Sequence, residues 1–445
     1  MAPNKLERIA FTQSRESEYF DESELTRQTG HPKDSWSPGV VVKELVDNGL
    51  DACEQAGVSP LIQIRIADDF LEVSDNGHGI APDVVGRVVD YSTRTSEKHA
   101  VVSPLRGAQG NALKTIIAIL YVLSGNKEAR VEISARGVKH LISVVMDSIA
   151  RRPQIMHETC EIVKTAGTNI RLTSFSPCSK GTDHGLQILQ KLILDYSLFN
   201  PHATFIVNSQ KFEATDPDFR KWLPTDPTSP HWYDRERFEL LVCAYLAAER
   251  NGTKRTVREF VSEFRGLSAT AKQSNVCEAS GLTRAYLHDL APNGRIDEKT
   301  LERLLVAMQK ESKPVKPEVL GILGEEHFRR SIAADPKTSG KTFRYSRQKG
   351  FDSRGLPYLV ECAFALVDGK SRLRGLHMGL NWGVPLGQPL QQTEFSIGKE
   401  GVVEGLTAAL AKNRIDIRRD PLCLAIHMSC PRFNFLDRGK GSIAL

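Results

Sequence analysis

The sequence predicts an α+β protein, and three observations predict it. Apolar residues recur at helical spacing between residues 38 and 56, 112 and 123, and 253 and 311. Short β-rich runs fall between those helices, first Leu61 to Ala67 and Phe70 to Ser74, later Tyr358 to Val367, Leu373 to Asn381 and Leu422 to Ser429. A proline-rich stretch from Thr215 to Arg235, carrying Pro217, Pro224, Pro227 and Pro230, interrupts the pattern, since proline can neither continue a helix nor donate to a sheet ladder. A chain of 445 residues outgrows a single core. Three units are expected: an α/β unit with an N-terminal arm over 1–235, a small helical module over 236–312, and an α+β unit over 313–445.

Composition narrows the class. With 40% hydrophobic and 25% charged residues, the chain can bury enough apolar surface to fold, which excludes wholesale disorder. The net charge of +5 suits a phosphate-bearing partner without requiring one. The eight cysteines include no CxxC pair and no zinc spacing, so reduced, mostly buried thiols are expected. No apolar run reaches the roughly 18 residues of a membrane span, and the charged stretch Met1 to Tyr19 lacks a signal-peptide core. A cytoplasmic protein that does not enter the membrane is therefore expected.

The first helix carries candidate chemistry. Ser37-Pro38 supplies an N-cap with proline at the first helical position, and Gly57 should close the helix. Val42, Leu45, Val46, Gly49, Ala52, Cys53 and Ala56 fall on one face, Glu44, Asn48, Asp51 and Gln55 on the other. Glu44 can take a proton from a water attacking a γ-phosphate, and Asn48 can offer its amide oxygen to a magnesium ion bridging phosphates. A solvated polar face explains the same spacing.

The hairpin about Asp68-Asp69 runs into Asp75-Asn76-Gly77-His78-Gly79-Ile80. A carboxylate at a strand end can accept a hydrogen bond from an adenine amino group, and glycines let backbone approach a ligand. A plain Asp-Asn-Gly turn is the alternative. Arg106-Gly107-Ala108-Gln109-Gly110-Asn111 precedes the apolar helix from Ala112 to Leu123, so its N–H groups and the helix N-terminus suit a triphosphate. Gly167-Thr168-Asn169-Ile170 begins a strand and could place a hydroxyl near the base.

In that order and spacing the motifs resemble those of the GHKL ATPases (gyrase, chaperone, histidine kinase, MutL). Glu44 to Asn48 resembles the N-box, Asp75 to Gly79 the first glycine box, Gly107 to Gly110 the lid box, and Gly167-Thr168 the last motif. The wider run from Lys43 to Val58 resembles the B subunit of type IIB DNA topoisomerases, topoisomerase VI. The resemblance implies a GHKL-type α/β sandwich ATPase domain, a helix-two-turns-helix-like insert and an α+β transducer. It implies Glu44 as general base, Asn48 as magnesium ligand and Asp75 as adenine reader. Asp47, Gly77, Gly79, Ile80 and Thr168 follow as further ATP-binding positions, with a phosphate lid of Arg94, Thr95, Gly107, Ala108, Gln109, Gly110, Asn111 and Ala112. Where the family has a further glycine after Gly110, this chain has Asn111-Ala112.

Beyond the nucleotide unit, Thr256 to Phe260 resembles the helix-two-turns-helix insert, in which Lys254, Arg255, Arg258 and Arg265 form either a DNA-contacting or a solvated face. Leu323 to Glu326, Gly379 to Pro385 and Asp437 to Lys440 resemble the transducer, and a helix is expected from Glu400 to Lys412. The resemblance implies that Lys440 reaches the γ-phosphate. Arg329, Arg330, Lys337, Lys341, Arg344, Arg347 and Lys349 stand against a single acid, Asp335, as either a phosphate-backbone contact or a mobile basic loop.

The implied activity is that of a magnesium-dependent ATPase subunit, dimerising on ATP to gate double-stranded DNA beside a separate topoisomerase VI A-like cleavage subunit. No DNA-cleaving tyrosine accompanied by an acidic metal cluster is evident in the sequence. The alternative is a stand-alone nucleotide-gated DNA clamp or scaffold with little turnover, for example in mobile-element defence. It is motivated by Asn111-Ala112 and by the sequence running only five residues past Lys440, where the family's transducer continues into a long helix. A histidine kinase is disfavoured, because no phospho-accepting helical hairpin precedes the nucleotide unit.

Overall fold

The computed structural model describes residues 15–92, 100–106, 112–173, 175–178, 180–249, 252, 254–335, 337–338, 342–390, 395–396, 402–403, 405–416, 419–435 and 443. Helix α1 (Glu22–Thr29) is capped by Asp21, whose side chain accepts from the Ser23 and Glu24 amides, and is closed by Gly30 at φ +71°. Helix α2 (Val41–Gln55) follows the tight turn Trp36–Val40. Strands β1 (Leu61–Ile66) and β2 (Leu71–Ser74) pair antiparallel about Asp68-Asp69, as the alternation predicts. Helices α3 (Pro82–Val88) and α4 (Ala112–Leu123) come next, α4 with the expected bounds.

Strands β3 (Ala129–Ala135), β4 (Val138–Asp147), β5 (Arg152–Glu161) and β6 (Thr168–Thr173) precede helix α5 (Thr182–Phe199), strand β7 (Thr204–Val207) and strand β8 (Gln210–Phe212). Among the described residues they form a sheet ordered β5-β4-β3-β6-β2-β1-β7-β8, antiparallel except where β1 runs parallel to β7. Buried residues of α2 (Val42, Leu45, Val46, Leu50), α4 (Ile116, Ile119, Leu120) and α5 (Leu189, Ile193, Phe199) join strand residues such as Ile62, Ile64, Val131 and Leu172 in one core. Each such side chain withdrawn from water contributes roughly 1.5–3 kcal/mol, so amphipathic helices on one sheet are the stable arrangement.

The proline-rich stretch connects the first unit to the helices and is partly packed. Trp222 and Trp232 are buried with ring centroids 4.7 Å apart, inside a second core built on helices α6 (Arg235–Glu249), α7 (Val257–Ser262), α8 (Thr270–Ser280) and α9 (Glu298–Glu311). The two expected stripes, Val257, Phe260, Val261, Phe264 and Leu301, Leu304, Leu305, Met308, are all buried there. The Thr256–Glu259 capping box starts α7.

Helix α10 (Glu325–Ala333) leads to strands β9 (Arg344–Phe351), β10 (Pro357–Leu366) and β11 (Gly375–Leu380). The pair β12 (Phe395–Ser396) and β13 (Val402–Val403), helix α11 (Leu406–Lys412) and strand β14 (Leu422–Ser429) complete the described elements. This second sheet is ordered β11-β14-β10-β9. Along β14, Cys423 and Ala425 join the first core, while Leu422, Leu424 and Ile426 face a small cluster with Leu406 and Leu410 of α11. The alternation of a strand thus serves two apolar layers.

Two expectations are corrected. The helix expected from Glu400 is shorter, because Val402–Val403 pairs with Phe395–Ser396 and α11 begins only at Leu406. Within the basic run, Arg344–Phe351 is the edge strand β9 rather than a loop, and Lys341 lies outside the described residues. It has one neighbouring strand and shows no burial alternation: only Tyr345 and Gly350, on opposite faces, are half-buried, while Ser346 to Lys349 are polar and exposed.

Candidate functional site

Helix α2 is the spine of the site. Ser37 is extended (φ −123°, ψ 135°) before it, but the expected cap is replaced: its hydroxyl donates to the Pro177 carbonyl at 2.6 Å. At the other end Gly57 takes φ +68°, and Val58 N–H donates to the Cys53 carbonyl at 3.1 Å, so the helix closes as expected.

The two faces of α2 differ from the expectation. Glu44, with its side chain 34% exposed, and the exposed Asn48 lie one turn apart on the open side. Asp51 does not join them, for it is buried at 3%, and Ala56, expected on the apolar face, is exposed. Spacing assigns faces but not what packs on them. Arg106 supplies the missing information: it donates to Asp51 Oδ1 at 2.6 Å, to Glu54 Oε2 at 2.9 Å and Oε1 at 2.6 Å, and to Asn200 Oδ1 at 2.6 Å. Lys221 Nζ donates to Glu54 Oε2 at 2.7 Å, and His202 Nε2 meets Glu54 Oε1 at 2.9 Å.

Burial raises the proton affinity of Glu54, but Arg106 and Lys221 override it and hold its carboxyl well below the usual range. Burial, with Arg106 alongside, pulls Lys221 down to about 8, while Glu54 opposes the shift. Two acids and two cations buried together are stable only while all remain paired.

Asp75 ends the hairpin directly beside α2. A Cβ on Gly49 would lie 3.2 Å from Asp75 Cβ and 3.0 Å from Ile62 Cδ1, so the glycine admits the strand end to the helix. Asp75 Oδ1 accepts from the Gly77 N–H at 2.8 Å and the Thr168 N–H at 3.3 Å, and Asp75 N–H donates to the Thr168 carbonyl at 3.0 Å. Ile80 N–H donates to Thr168 Oγ1 at 3.2 Å. The expected adenine reader and the Gly-Thr strand therefore meet across 93 residues of chain. Burial raises the pKa of Asp75, against the pull of the Gly77 and Thr168 hydrogen bonds, making the carboxylate a stronger acceptor.

Gly77 and Gly79 act in packing. A Cβ on Gly77 would sit 2.6 Å from the Ala52 carbonyl carbon, and one on Gly79, at φ +73°, 2.9 Å from the Gly167 carbonyl oxygen. The loop is thereby wedged between α2 and the start of β6.

Asp47 is placed differently from Glu44 and Asn48. It is 4% exposed, and its carboxylate accepts from Tyr196 Oη at 2.7 Å and Lys43 Nζ at 2.9 Å. It turns toward α5 and the second sheet, where the Gly383 backbone packs against it. Lys43 and Arg106 stood at the edges of motifs without a role assigned to their side chains, and nothing in the sequence pointed to Lys221. Arg94, Thr95, Gly107, Ala108, Gln109, Gly110, Asn111 and Lys440 lie outside the described residues. Ala112 opens α4, which is tied down where Lys114 Nζ donates to the Asp90 carbonyl at 2.6 Å. Of the basic run, Arg329 pairs with Glu325 at 2.6 Å, and Lys349 pairs with Glu318.

No family model matches the chain. It is 27% identical over 338 residues to the B subunit of type 2 DNA topoisomerase 6 from Methanosarcina barkeri, covering 73% of this chain and 51% of that relative. To the protein of the same name from Archaeoglobus fulgidus it is 25% identical over 422 residues, covering 91% and 66%. A solved structure, the ATPase domain of the bacterial mismatch repair endonuclease MutL of Aquifex aeolicus, aligns with a TM-score of 0.34 and 13% identity over 90% of this chain and 92% of that one. The chain thus resembles the B subunit of topoisomerase 6 in sequence and spans about half the length of the Methanosarcina relative.

Proposed function

We propose that the chain is a magnesium-dependent ATP-binding and hydrolysing subunit of the topoisomerase VI B kind. The observation that carries this reading is the juxtaposition of the Glu44–Asn48 face of α2 with the Asp75–Thr168 pair, through the Asp75 contact at Gly49. Asp75 would accept from the adenine amino group, beside Thr168, Gly77, Gly79 and Ile80. Glu44 would draw the proton from the attacking water. Asn48 would hold magnesium, which neutralises phosphate charge when bound. Among the described residues no group of three or more His, Cys, Asp or Glu gathers as a metal site. A magnesium ion held by one amide and by phosphate oxygens needs no such cage.

Arg94, Thr95, Gly107 to Ala112 and Lys440 belong to the same reading as lid and γ-phosphate contacts. Units 1–235, 236–312 and 313–445 would serve as nucleotide domain, helical insert and transducer. ATP would close two copies around DNA, and strand cleavage would fall to a separate subunit. No helix among the described residues is long and apolar enough to cross a membrane.

The test is ATP turnover by the wild type and Glu44→Ala, with mass measured with and without a non-hydrolysable ATP analogue. Turnover lost in Glu44→Ala and a doubling of mass with the analogue support the proposal. Equal turnover in both proteins, or no ATP binding, overturns it. Binding and dimerisation with negligible wild-type turnover favour the nucleotide-gated clamp.

A further inference from the structure

The Lys43 ammonium lies between two carboxylates of its own helix, 3.1 Å from Glu44 Oε1 and 2.9 Å from Asp47 Oδ2. Its side chain is 15% exposed and that of Asp47 5%, against 34% for Glu44. The pair therefore forms a buried footing beneath a carboxylate that opens toward the nucleotide face. Asp47 is fixed in turn by Tyr196 Oη at 2.7 Å from α5. The Gly383 turn of the second sheet approaches so closely that a Cβ there would lie 3.3 Å from Asp47 Oδ1.

Residues three apart are neighbours on a helix surface, so the Glu44 and Asp47 carboxylates would repel one another unless a cation stood between them. Lys43 stands there, since a lysine ammonium has three donors on a flexible stem. We propose that Lys43 is the positioning residue for Glu44: anchored on Asp47 and Tyr196, it holds one carboxylate oxygen and so sets the direction in which the base faces an attacking water. This rests on the ATPase reading above. A misdirected base loses rate while ground-state ATP binding, made elsewhere in the site, is kept.

The experiment is steady-state ATP turnover of the full chain with magnesium, comparing wild type, Glu44→Ala, Lys43→Met, Lys43→Arg and Tyr196→Phe, with melting temperatures alongside. Lys43→Met is expected to lower kcat tenfold or more with KM for ATP within twofold of wild type. Lys43→Arg, which keeps a cation, should recover part of that loss. Tyr196→Phe, nearly isosteric and able to fold even if Lys43→Met does not, should lower kcat two- to fivefold at unchanged KM. Unchanged kcat in Lys43→Met or Tyr196→Phe, or a KM that rises in step with the loss, overturns the inference. Wild-type turnover abolished by Glu44→Ala but intact in the Lys43 and Tyr196 variants overturns it alone. Absence of turnover in the wild type removes the ATPase reading and this inference together.

Discussion

Arg106 and Glu54 form a two-pronged ion pair, Nη2 to Oε1 at 2.6 Å and Nη1 to Oε2 at 2.9 Å, with side chains only 1% and 2% exposed. Arg106→Met would leave Asp51 and Glu54 short of a cation inside the protein, where an uncompensated charge costs about 3–5 kcal/mol. The expected result is a lower midpoint in urea unfolding. A variant within about 0.5 kcal/mol of wild type, the scatter of surface substitutions, would show that the cluster does not hold α2 to the rest of the chain.

Asp75→Asn should separate binding from folding. The asparagine oxygen can still accept from the Gly77 and Thr168 amides, so the melting temperature is expected to stay near that of wild type. Loss of a charged acceptor is worth about 1.5–3 kcal/mol, roughly a ten- to hundredfold weaker Kd for ATP. Titration with a fluorescent ATP analogue reads this directly, and undiminished affinity would remove Asp75 from the base-recognition role.

Gly167→Ala and Gly57→Ala form a controlled pair. Both glycines are left-handed, at φ +76° and +68°. Around Gly57 a Cβ would meet open space, whereas at Gly167 it would fall 1.8 Å from the Asp75 carbonyl oxygen. Gly57→Ala should cost about 1–2 kcal/mol for the left-handed backbone. Gly167→Ala should add about 1–3 kcal/mol or more for overpacking. Equal losses in thermal unfolding would contradict the wedged geometry.

His377 gives a pH dependence. Its Nδ1 meets Asp195 Oδ1 at 2.5 Å and its Nε2 the Leu373 carbonyl at 2.8 Å, so both ring nitrogens face acceptors and the imidazolium is the form that fits. Burial disfavours that cation, but Asp195 overrides it and holds the histidine well above its ordinary value of 6.5. A raised folded-state value means the stabilisation is complete below about pH 6.5 and disappears as pH climbs through the folded value. Melting curves of wild type and His377→Gln should therefore differ most under mildly acidic conditions and converge as pH rises. A gap that widens with pH would refute the pairing.

Much of the first unit was legible because local rules decide it. Helical spacing located α2 and α4, the Asp68-Asp69 turn set the hairpin, and Gly57 ended α2 with the backbone angle that glycine permits. Partners far along the chain were not legible. Asp51 shares a helix stripe with Glu44 and Asn48, and only Arg106 and the burial around it reveal that Asp51 faces inward. Strand β9 escaped notice for a related reason: at an edge, polar side chains suit a strand as well as a loop.

The first apolar core does not stop at the first sheet. Leu323, Phe328, Ala363, Val384, Cys423 and Ala425 belong to it along with residues of α2, α4 and α5. A fragment trimmed back to residues 1–235 would therefore carry a raw hydrophobic wound where the second sheet had lain, and should precipitate or cling to chaperones during expression. Whoever seeks the first unit by itself would do better to keep β10, β11 and β14 attached.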